Sequence, residues 1–427
     1  MTSPATPRGT AASASVPTPG HHVVIVGAGL SGLRTAERLR RLGHTGPLTL
    51  VGEEAHAAYD RPPLSKALLI QDEEPAAPPA LRAAEKYAEL DLDLRLGVRA
   101  EALVPGERSV VLGDGSRISY DQLVVATGSR ARRVPAWEHH PNVHTLRTFE
   151  DCLALRADLR AARHLTVVGA GVLGGEVAAG GRALGLEVTL VEAQAAPLER
   201  VLGAELGAGV AQLHRDHGVD VRLGVAVERL GGDHRAERVV LGDGTVVETD
   251  VVVVAIGSVA ETTWLAGSGV RRADGVLCNQ YGATAVPGVH VVGDAAVMLH
   301  PGATTPLRLE HWTSAGDTAA VVAHNVLAAP EERKPLTEVP YFWSDQYDVK
   351  IQGLGLPSPE DRIDVVAGDV AEHSFLAVCS REGRVRAAFA MSMPAPLARC
   401  RKAVADGTAL ADLLAAAPWT PKKKVSA

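Results

Sequence analysis

A glycine-rich strand-to-helix unit occurs twice in this chain. The first copy reads His22-Val-Val-Ile-Val-Gly-Ala-Gly-Leu-Ser-Gly32, runs through an arginine-rich stretch and returns as Leu48-Thr-Leu-Val-Gly-Glu53. The second reads Leu165-Thr-Val-Val-Gly-Ala-Gly-Val-Leu-Gly174 and returns as Val188-Thr-Leu-Val-Glu192. The copies also close alike, on Leu123-Val-Val-Ala-Thr127-Gly128-Ser129 and on Val251-Val-Val-Val-Ala-Ile-Gly257-Ser258. A lone G-x-G-x-x-G is weak, because glycines also gather in ordinary turns. Here both matches follow a four-residue apolar strand, open a helix and meet an acid about 20 residues on. The duplication predicts two dinucleotides held face to face in one polypeptide.

Each residue of the unit has a physical task. Gly27 and Gly169 are expected to make the tight turn, Gly29 and Gly171 to let backbone approach a pyrophosphate, and Gly32 and Gly174 to let helix pack closely on strand. The helix start, with Ser31 in its first turn in copy one, then offers unpaired N–H groups and a dipole end of about half a positive charge. Glu53 and Glu192 close the second strands, where a carboxylate accepts hydrogen bonds from a ribose diol. Neither is followed directly by arginine. A 2′-phosphate would meet carboxylate repulsion at Glu192, which predicts NADH rather than NADPH in the second site.

A chain of 427 residues exceeds one ordinary core and suggests about two to four domains. No apolar run approaches the roughly 18 residues of a membrane span. The first 20 residues are rich in Ser, Thr, Ala and Pro without the apolar centre of a secretory signal, and are expected to be a disordered leader on a cytoplasmic protein. Cys152, Cys278, Cys379 and Cys400 form no CxxC, so neither a disulfide framework nor a protein-held zinc or iron–sulfur site is expected. The net charge of −7 argues against nucleic acid as the main partner. From Cys379 onward, however, nine Lys and Arg stand against three Asp and Glu. Either this is a solvated tail, most simply for Lys422, Lys423 and Lys424, or it is a docking face for an acidic protein.

Apolar runs alternate with helical stretches up to residue 130 and again from 165 to 258, the rhythm of parallel doubly wound sheets. A late strand, Val289-His-Val-Val-Gly293-Asp294, precedes a helix expected from about Trp312 to Ala328. Its simplest reading is a return to the first unit, with the second unit inserted. The expected organisation is therefore a leader over 1–20, a discontinuous first domain over 21–135 and 270–330, a second over 136–269, and a C-terminal domain over 331–427. Phe375-Leu-Ala-Val and Val385-Arg-Ala-Ala-Phe are expected to be antiparallel strands of that last domain. The chain is only 4% aromatic, yet Tyr341, Phe342, Trp343 and Tyr347 fall together, either as core or as an edge facing a flavin or a partner.

Beyond the glycine loops, Tyr59-Asp-Arg61-Pro-Pro-Leu-Ser-Lys66, Leu146-Arg147-Thr, Gly175-Glu176-Val-Ala, Leu309-Glu-His311-Trp312 and Phe342-Trp-Ser-Asp-Gln-Tyr347 carry a resemblance. From about His22 to Pro394 the chain resembles the FAD-dependent ferredoxin reductases of the putidaredoxin reductase and rubredoxin reductase type, which also serve aromatic-ring dioxygenases. The resemblance implies an α/β fold: two doubly wound, Rossmann-like domains of the glutathione-reductase type and a small α+β C-terminal domain. It implies FAD in the first unit, with Glu53 on the adenosine ribose, Ala100 on the adenine through its backbone, and Arg61, Lys66, Arg147, Asp294, His311 and Trp312 toward the flavin half. NADH would occupy the second unit, and Lys66 would pair with Glu176 beside the flavin. Val172, Leu173 and Thr313-Ser-Ala-Gly-Asp317 depart from the usual pattern, so the contacts there follow less directly.

The implied activity is transfer of electrons from NADH through FAD to a small acidic ferredoxin serving a cytochrome P450 or an oxygenase, by a monomer or homodimer. Three rivals share the architecture. A disulfide reductase needs a redox cysteine near the flavin, and none precedes Cys152. A slow NADH oxidoreductase acting as a scaffold, in the manner of apoptosis-inducing factor, and a flavin enzyme oxidising a small biosynthetic molecule remain as alternatives.

Overall fold

The computed structural model describes residues 20–420; the expected leader up to residue 19 and Lys422, Lys423 and Lys424 lie outside the described residues. Val23–Val26 is buried at every position, as a β-branched run must be when helices cover both faces of a parallel sheet. It pairs in parallel with Leu48–Val51 on one side and Gln122–Val125 on the other. Asp93–Arg95 and Val289–Val291 extend the two flanks into a five-stranded parallel sheet. The late strand thus lies beside Gln122–Val125, although more than 160 residues separate them in the chain.

Between them the chain builds a second five-stranded parallel sheet, in the order Asp220–Leu223, Glu187–Glu192, His164–Val168, Val251–Val254, Val143–His144. Two short antiparallel strands, Ser129–Ala131 and Ser258–Ala260, carry it out and back. Registers keep the strand ends level: Val26 faces Val51 and Val125, and Val168 faces Val191 and Val254. Gly27, Gly52 and Ala126 therefore leave one sheet at the same edge, and Gly169, Glu192 and Ala255 leave the other. Ligands of open α/β sheets bind at that edge.

The helix Leu30–Arg41 buries Leu33, Ala36 and Leu39, and places Arg38, Arg40 and Arg41 in its last turn, where cations oppose the negative dipole end. The helix Trp312–Leu327 packs on it, sharing a core of Ala36, Leu39, Val322, Ala323 and Val326. After it comes an antiparallel five-stranded sheet, in the order Tyr341–Gln346, Val349–Gly355, Arg384–Met391, Ser374–Arg381, Arg362–Asp369, backed by the helix Pro394–Asp406 through Leu397, Cys400 and Ala403. The protein is thus α/β, with two doubly wound units and a small α+β domain.

Two apolar cores tie the three parts together. Leu64, Leu68 and Leu69, from the segment after Arg61, pack among Leu165, Val177 and Leu190 of the second sheet layer. Leu202, Leu206 and Leu213 of the helix Glu199–Asp216 pack on Phe375, Phe389 and Ile351 of the C-terminal sheet. Burying one such side chain contributes about 1.5–3 kcal/mol, so these contacts hold the parts in fixed relation. Among the described residues no helix is long and apolar enough to cross a membrane.

Candidate functional site

The edges of both parallel sheets open into one cavity of about 1480 Å³, which the C-terminal domain borders with Phe342 and Trp343. Of the residues expected to hold FAD, all line it except Gly32 and Gly293; of those expected to hold NADH, all except Gly174. The three exceptions act behind the wall. A Cβ on Gly32 would overlap the carbonyl oxygen of Gly27, one on Gly174 that of Gly169, and one on Gly293 the Ser31 hydroxyl. They bring helix N-termini close to strand ends rather than touching a ligand.

The loops fit a pyrophosphate on structural grounds. Gly27 and Gly169 have φ of +116° and +101°, which side chains rarely adopt, and a Cβ on Gly27 would overlap the Ala126 carbonyl. Gly29 and Gly171 are the N-caps of the two loop helices, and neither helix has a side-chain cap or an acidic first turn. A Cβ on either meets nothing within 4 Å. Each helix therefore points uncapped N–H groups into open room, the arrangement that receives an anion.

The two acids differ. Glu192 accepts from the Ala170 N–H at 2.7 Å and the Gln194 N–H at 2.9 Å, so it braces the second glycine loop. Glu53 is exposed and lies 3.7 Å from Arg99, which the sequence places 46 residues later. Ala100, the next residue, is buried at the start of a strand. Thr127 donates to the Glu261 carbonyl at 2.5 Å, and Gly128 and Gly257 turn with φ of +64° and +96°.

At the far end of the first strand layer, Asp294 Oδ2 accepts from Arg147 at 2.8 Å and from the Ser129 hydroxyl at 3.1 Å. Arg61 bonds Glu54 at 2.5 Å, the Tyr59 hydroxyl at 2.9 Å and the Arg147 carbonyl at 2.6 Å. The Tyr59 hydroxyl donates to Glu54 at 2.5 Å and accepts from the Phe149 N–H at 3.1 Å. Its pKa is raised by burial, so it stays a donor. This knot joins the first unit to the segment entering the second. His311 stands at the N-cap position of the helix Trp312–Leu327 without a side-chain cap hydrogen bond, and burial lowers its pKa against the pull of Asp294 and Glu310. Trp312 Nε1 donates to Asp60 at 2.7 Å.

In the middle of the cavity, Lys66 Nζ is 2.8 Å from Glu176 Oε2. Glu176 is 4% exposed and comes from the second loop helix, whereas Lys66 comes from the first unit. The Ser65 hydroxyl donates to the same carboxylate at 2.5 Å and the Ser344 hydroxyl at 2.8 Å. The four aromatic residues divide by strand alternation. Phe342 enters the core of the C-terminal sheet, while Trp343 lies against Trp312 edge-on at 6.1 Å and stacks on Tyr341 at 6.1 Å. Tyr347 stacks on His217. Val172 and Leu173 line the cavity, and Val172 also packs on the C-terminal core.

Ser65, Ser344, Ser129 and Glu54 were not singled out by their chemistry in the sequence, though the first two sit inside the RPPLSK and FWSDQY strings. The usable signal for Ser344 is its phase: Phe342, Ser344 and Gln346 share the buried face of their strand, and a hydroxyl at such a position needs a partner. All four cysteines are free, none lines the cavity, and burial pushes their thiols up, Cys152 and Cys400 to about 11 and Cys278 and Cys379 to about 12. A thiolate redox centre is not built here.

Residues 21–319 match the family described as pyridine nucleotide-disulphide oxidoreductase, and residues 341–426 match the reductase C-terminal family. Over 409 residues the chain is 37% identical to the 5,5'-dehydrodivanillate O-demethylase ferredoxin reductase subunit of a Sphingobium species, covering 95% of this chain and 98% of that protein. It is 38% identical to the ferredoxin–NAD(+) reductase component of the p-cumate 2,3-dioxygenase system of Pseudomonas putida, covering 81% and 84%. The fold superposes on the covalent putidaredoxin reductase–putidaredoxin complex with a TM-score of 0.87 at 32% identity, covering 93% of this chain and 96% of that one.

Proposed function

Because the chain belongs to the pyridine nucleotide-disulphide oxidoreductase family, in its ferredoxin reductase branch, we propose that it is an NADH-dependent flavoprotein reductase passing electrons to a small acidic ferredoxin of a cytochrome P450 or other oxygenase system. The observation that carries this is one cavity holding two uncapped glycine-loop helices with the Lys66–Glu176 pair between them. When bound, FAD takes an electron pair from NADH and releases electrons singly, which a nicotinamide and an iron–sulfur cluster need between them.

The chain's own residues have binding and orienting roles. We assign FAD to 21–135 and 270–330, NADH to 136–269 and acceptor docking to 331–427. The first loop helix, from Gly29, holds the FAD pyrophosphate; Glu53 takes the ribose, and the Ala100 backbone the adenine. Arg147 and Ser129 fix Asp294 through one oxygen, leaving the other for a ligand hydroxyl. The N-terminus of the helix Trp312–Leu327 supplies donors beside His311. Gly171 and the loop braced by Glu192 hold NADH, and Lys66 with Glu176 orients the reacting rings. Trp312 and Trp343 exclude water from that face. Four free thiols fit a reducing cytoplasm.

The docking role rests on charge and continuity. Arg401 lies over the Tyr341 ring at 5.6 Å, and Tyr341 leads through Trp343 to Trp312, so the basic helix Pro394–Asp406 adjoins the cavity wall. Purified protein is expected to be yellow, to bleach on anaerobic addition of NADH, and to reduce a [2Fe–2S] ferredoxin at a rate that falls as salt rises. Failure to bleach removes the reductase reading. Bleaching with no ferredoxin turnover favours a small-molecule acceptor or a scaffold instead.

Cofactor choice gives a separate prediction. Glu192→Gln keeps an acceptor for only one of the two N–H groups that Glu192 receives, from Ala170 and Gln194, and removes the charge facing a 2′-phosphate. The ratio of kcat/KM for NADH over NADPH should fall by about tenfold. A native preference for NADPH would overturn the role assigned to Glu192.

A further inference from the structure

The Ser344 hydroxyl does not end the contacts that reach Glu176. A carboxylate only accepts, so Ser344 gives its hydrogen to Glu176 Oε1 and receives one from Gln346 Nε2 at 3.1 Å. Gln346 is fully buried, and its Oε1 has no hydrogen-bond partner of normal geometry among the described residues. The same holds for Nε2 of His214, also fully buried, on the helix Glu199–Asp216. These two side chains interact, and one orphan atom is an acceptor where the other can be a donor. The Tyr347 hydroxyl stands 2.9 Å from the opposite ring nitrogen, Nδ1. Burial raises the pKa of this phenol and lowers that of His214 to about 4. Both groups are then neutral, and it is the unpartnered acceptor at Gln346 Oε1 that calls for the imidazole proton on Nε2, which leaves Nδ1 to accept from Tyr347.

Every donor then points the same way, from Tyr347 through His214, Gln346 and Ser344 to Glu176. Aligned hydrogen bonds polarise one another, and the buried carboxylate is where the alignment converges. Gly175 permits it, since a Cβ there would fall 2.6 Å from the Gln346 amide. His217, stacked on Tyr347 with ring centroids 3.7 Å apart, holds the phenol at the outer end.

We propose that His214, Gln346 and Ser344 are positioning residues for Glu176, forming a buried donor relay that crosses from the second unit through the C-terminal domain and aims the carboxylate at Lys66. The proposal rests on the reading of Lys66 and Glu176 as the pair that orients the reacting rings. Its consequence is that the pair is complete only when the C-terminal domain is seated, because that domain supplies two of the three relay members.

Two measurements decide it. Long-range ¹H–¹⁵N correlation spectra of the histidine rings in wild-type protein, without added NADH, should show His214 protonated on Nε2 at neutral pH; the Nδ1–H tautomer reverses the relay and overturns the proposal. Stopped-flow reduction of the bound flavin by NADH, with no ferredoxin present, should slow about tenfold in Ser344→Ala at saturating NADH, with half-saturation changed less than about twofold. In a Glu176→Gln background the same substitution should add nothing, and the flavin reduction potential should shift only where Glu176 is present. An equal loss in both backgrounds, or one confined to half-saturation, overturns the relay while leaving the reductase function intact. A wild-type protein that NADH does not reduce defeats the function itself.

Discussion

Gly29→Ala will fold normally without cofactor and fail to retain FAD. The added Cβ meets no protein atom within 4 Å, and the φ of this residue is an ordinary −84°, so the apoprotein should keep the melting temperature of wild-type apoprotein. The methyl group would instead occupy the room in front of the first loop helix, where a pyrophosphate must touch backbone N–H groups. A charge-assisted hydrogen bond contributes about 1.5–3 kcal/mol, so the loss of even one should weaken FAD binding by about 10–100-fold. Gly27→Ala and Gly174→Ala set the scale. A Cβ at Gly27 overlaps the Ala126 carbonyl at a positive φ, so that variant should lose FAD and stability together. A Cβ at Gly174 overlaps the Gly169 carbonyl just as closely, so that variant should also lose stability, but should stay yellow while its KM for NADH rises. Flavin absorbance per protein, melting with and without FAD, and steady-state NADH kinetics read all three. A yellow Gly29→Ala protein with unchanged FAD affinity would show that the first loop does not hold the pyrophosphate.

What the sequence revealed and what it hid divide along chain distance. The glycine loops, their helices and the closing acids are local patterns, each complete within about 30 residues, so turn sterics and apolar runs determine them before any tertiary contact forms. The late strand at Val289 was legible because a buried apolar run ending in Gly-Asp needs a sheet to join, and in a chain already holding two nucleotide units the simplest one is the first. The partners of Glu176 were not legible in that way. Ser65 and Ser344 stand 111 and 168 positions from it, and although strand phase marks Ser344 as buried, nothing local says which distant group its hydroxyl meets. The same is true of one partner of Arg61, the Arg147 carbonyl 86 positions away, whereas its other two, Glu54 and Tyr59, are local. Resemblance supplied Lys66 and Glu176 as a pair, but only the packing of three domains shows what surrounds the carboxylate.

Lys66→Met should be the most damaging single change at the reacting face, and a second substitution should repair its stability without restoring its activity. Glu176 is almost wholly buried and Lys66 is 22% exposed, so removing the ammonium leaves a carboxylate with little access to water. Breaking a buried pair from one side costs about 3–5 kcal/mol. Ser65 and Ser344 still donate to Glu176, and the lysine is partly solvated, so the lower end, about 3 kcal/mol, is expected. Lys66→Met with Glu176→Gln removes both charges, and the amide can still accept from one serine. Replacing a buried pair by neutral groups of similar volume is often near neutral, so the double variant should melt well above the single one. Reduction of the flavin by NADH should nevertheless remain slow in both, by about 10–100-fold, because neither retains the charges that orient the rings. Melting curves paired with stopped-flow reduction separate the two effects. A double variant no more stable than Lys66→Met would mean that the uncompensated carboxylate is not the source of the damage. Wild-type reduction rates in either protein would leave Lys66 and Glu176 as a structural bridge alone.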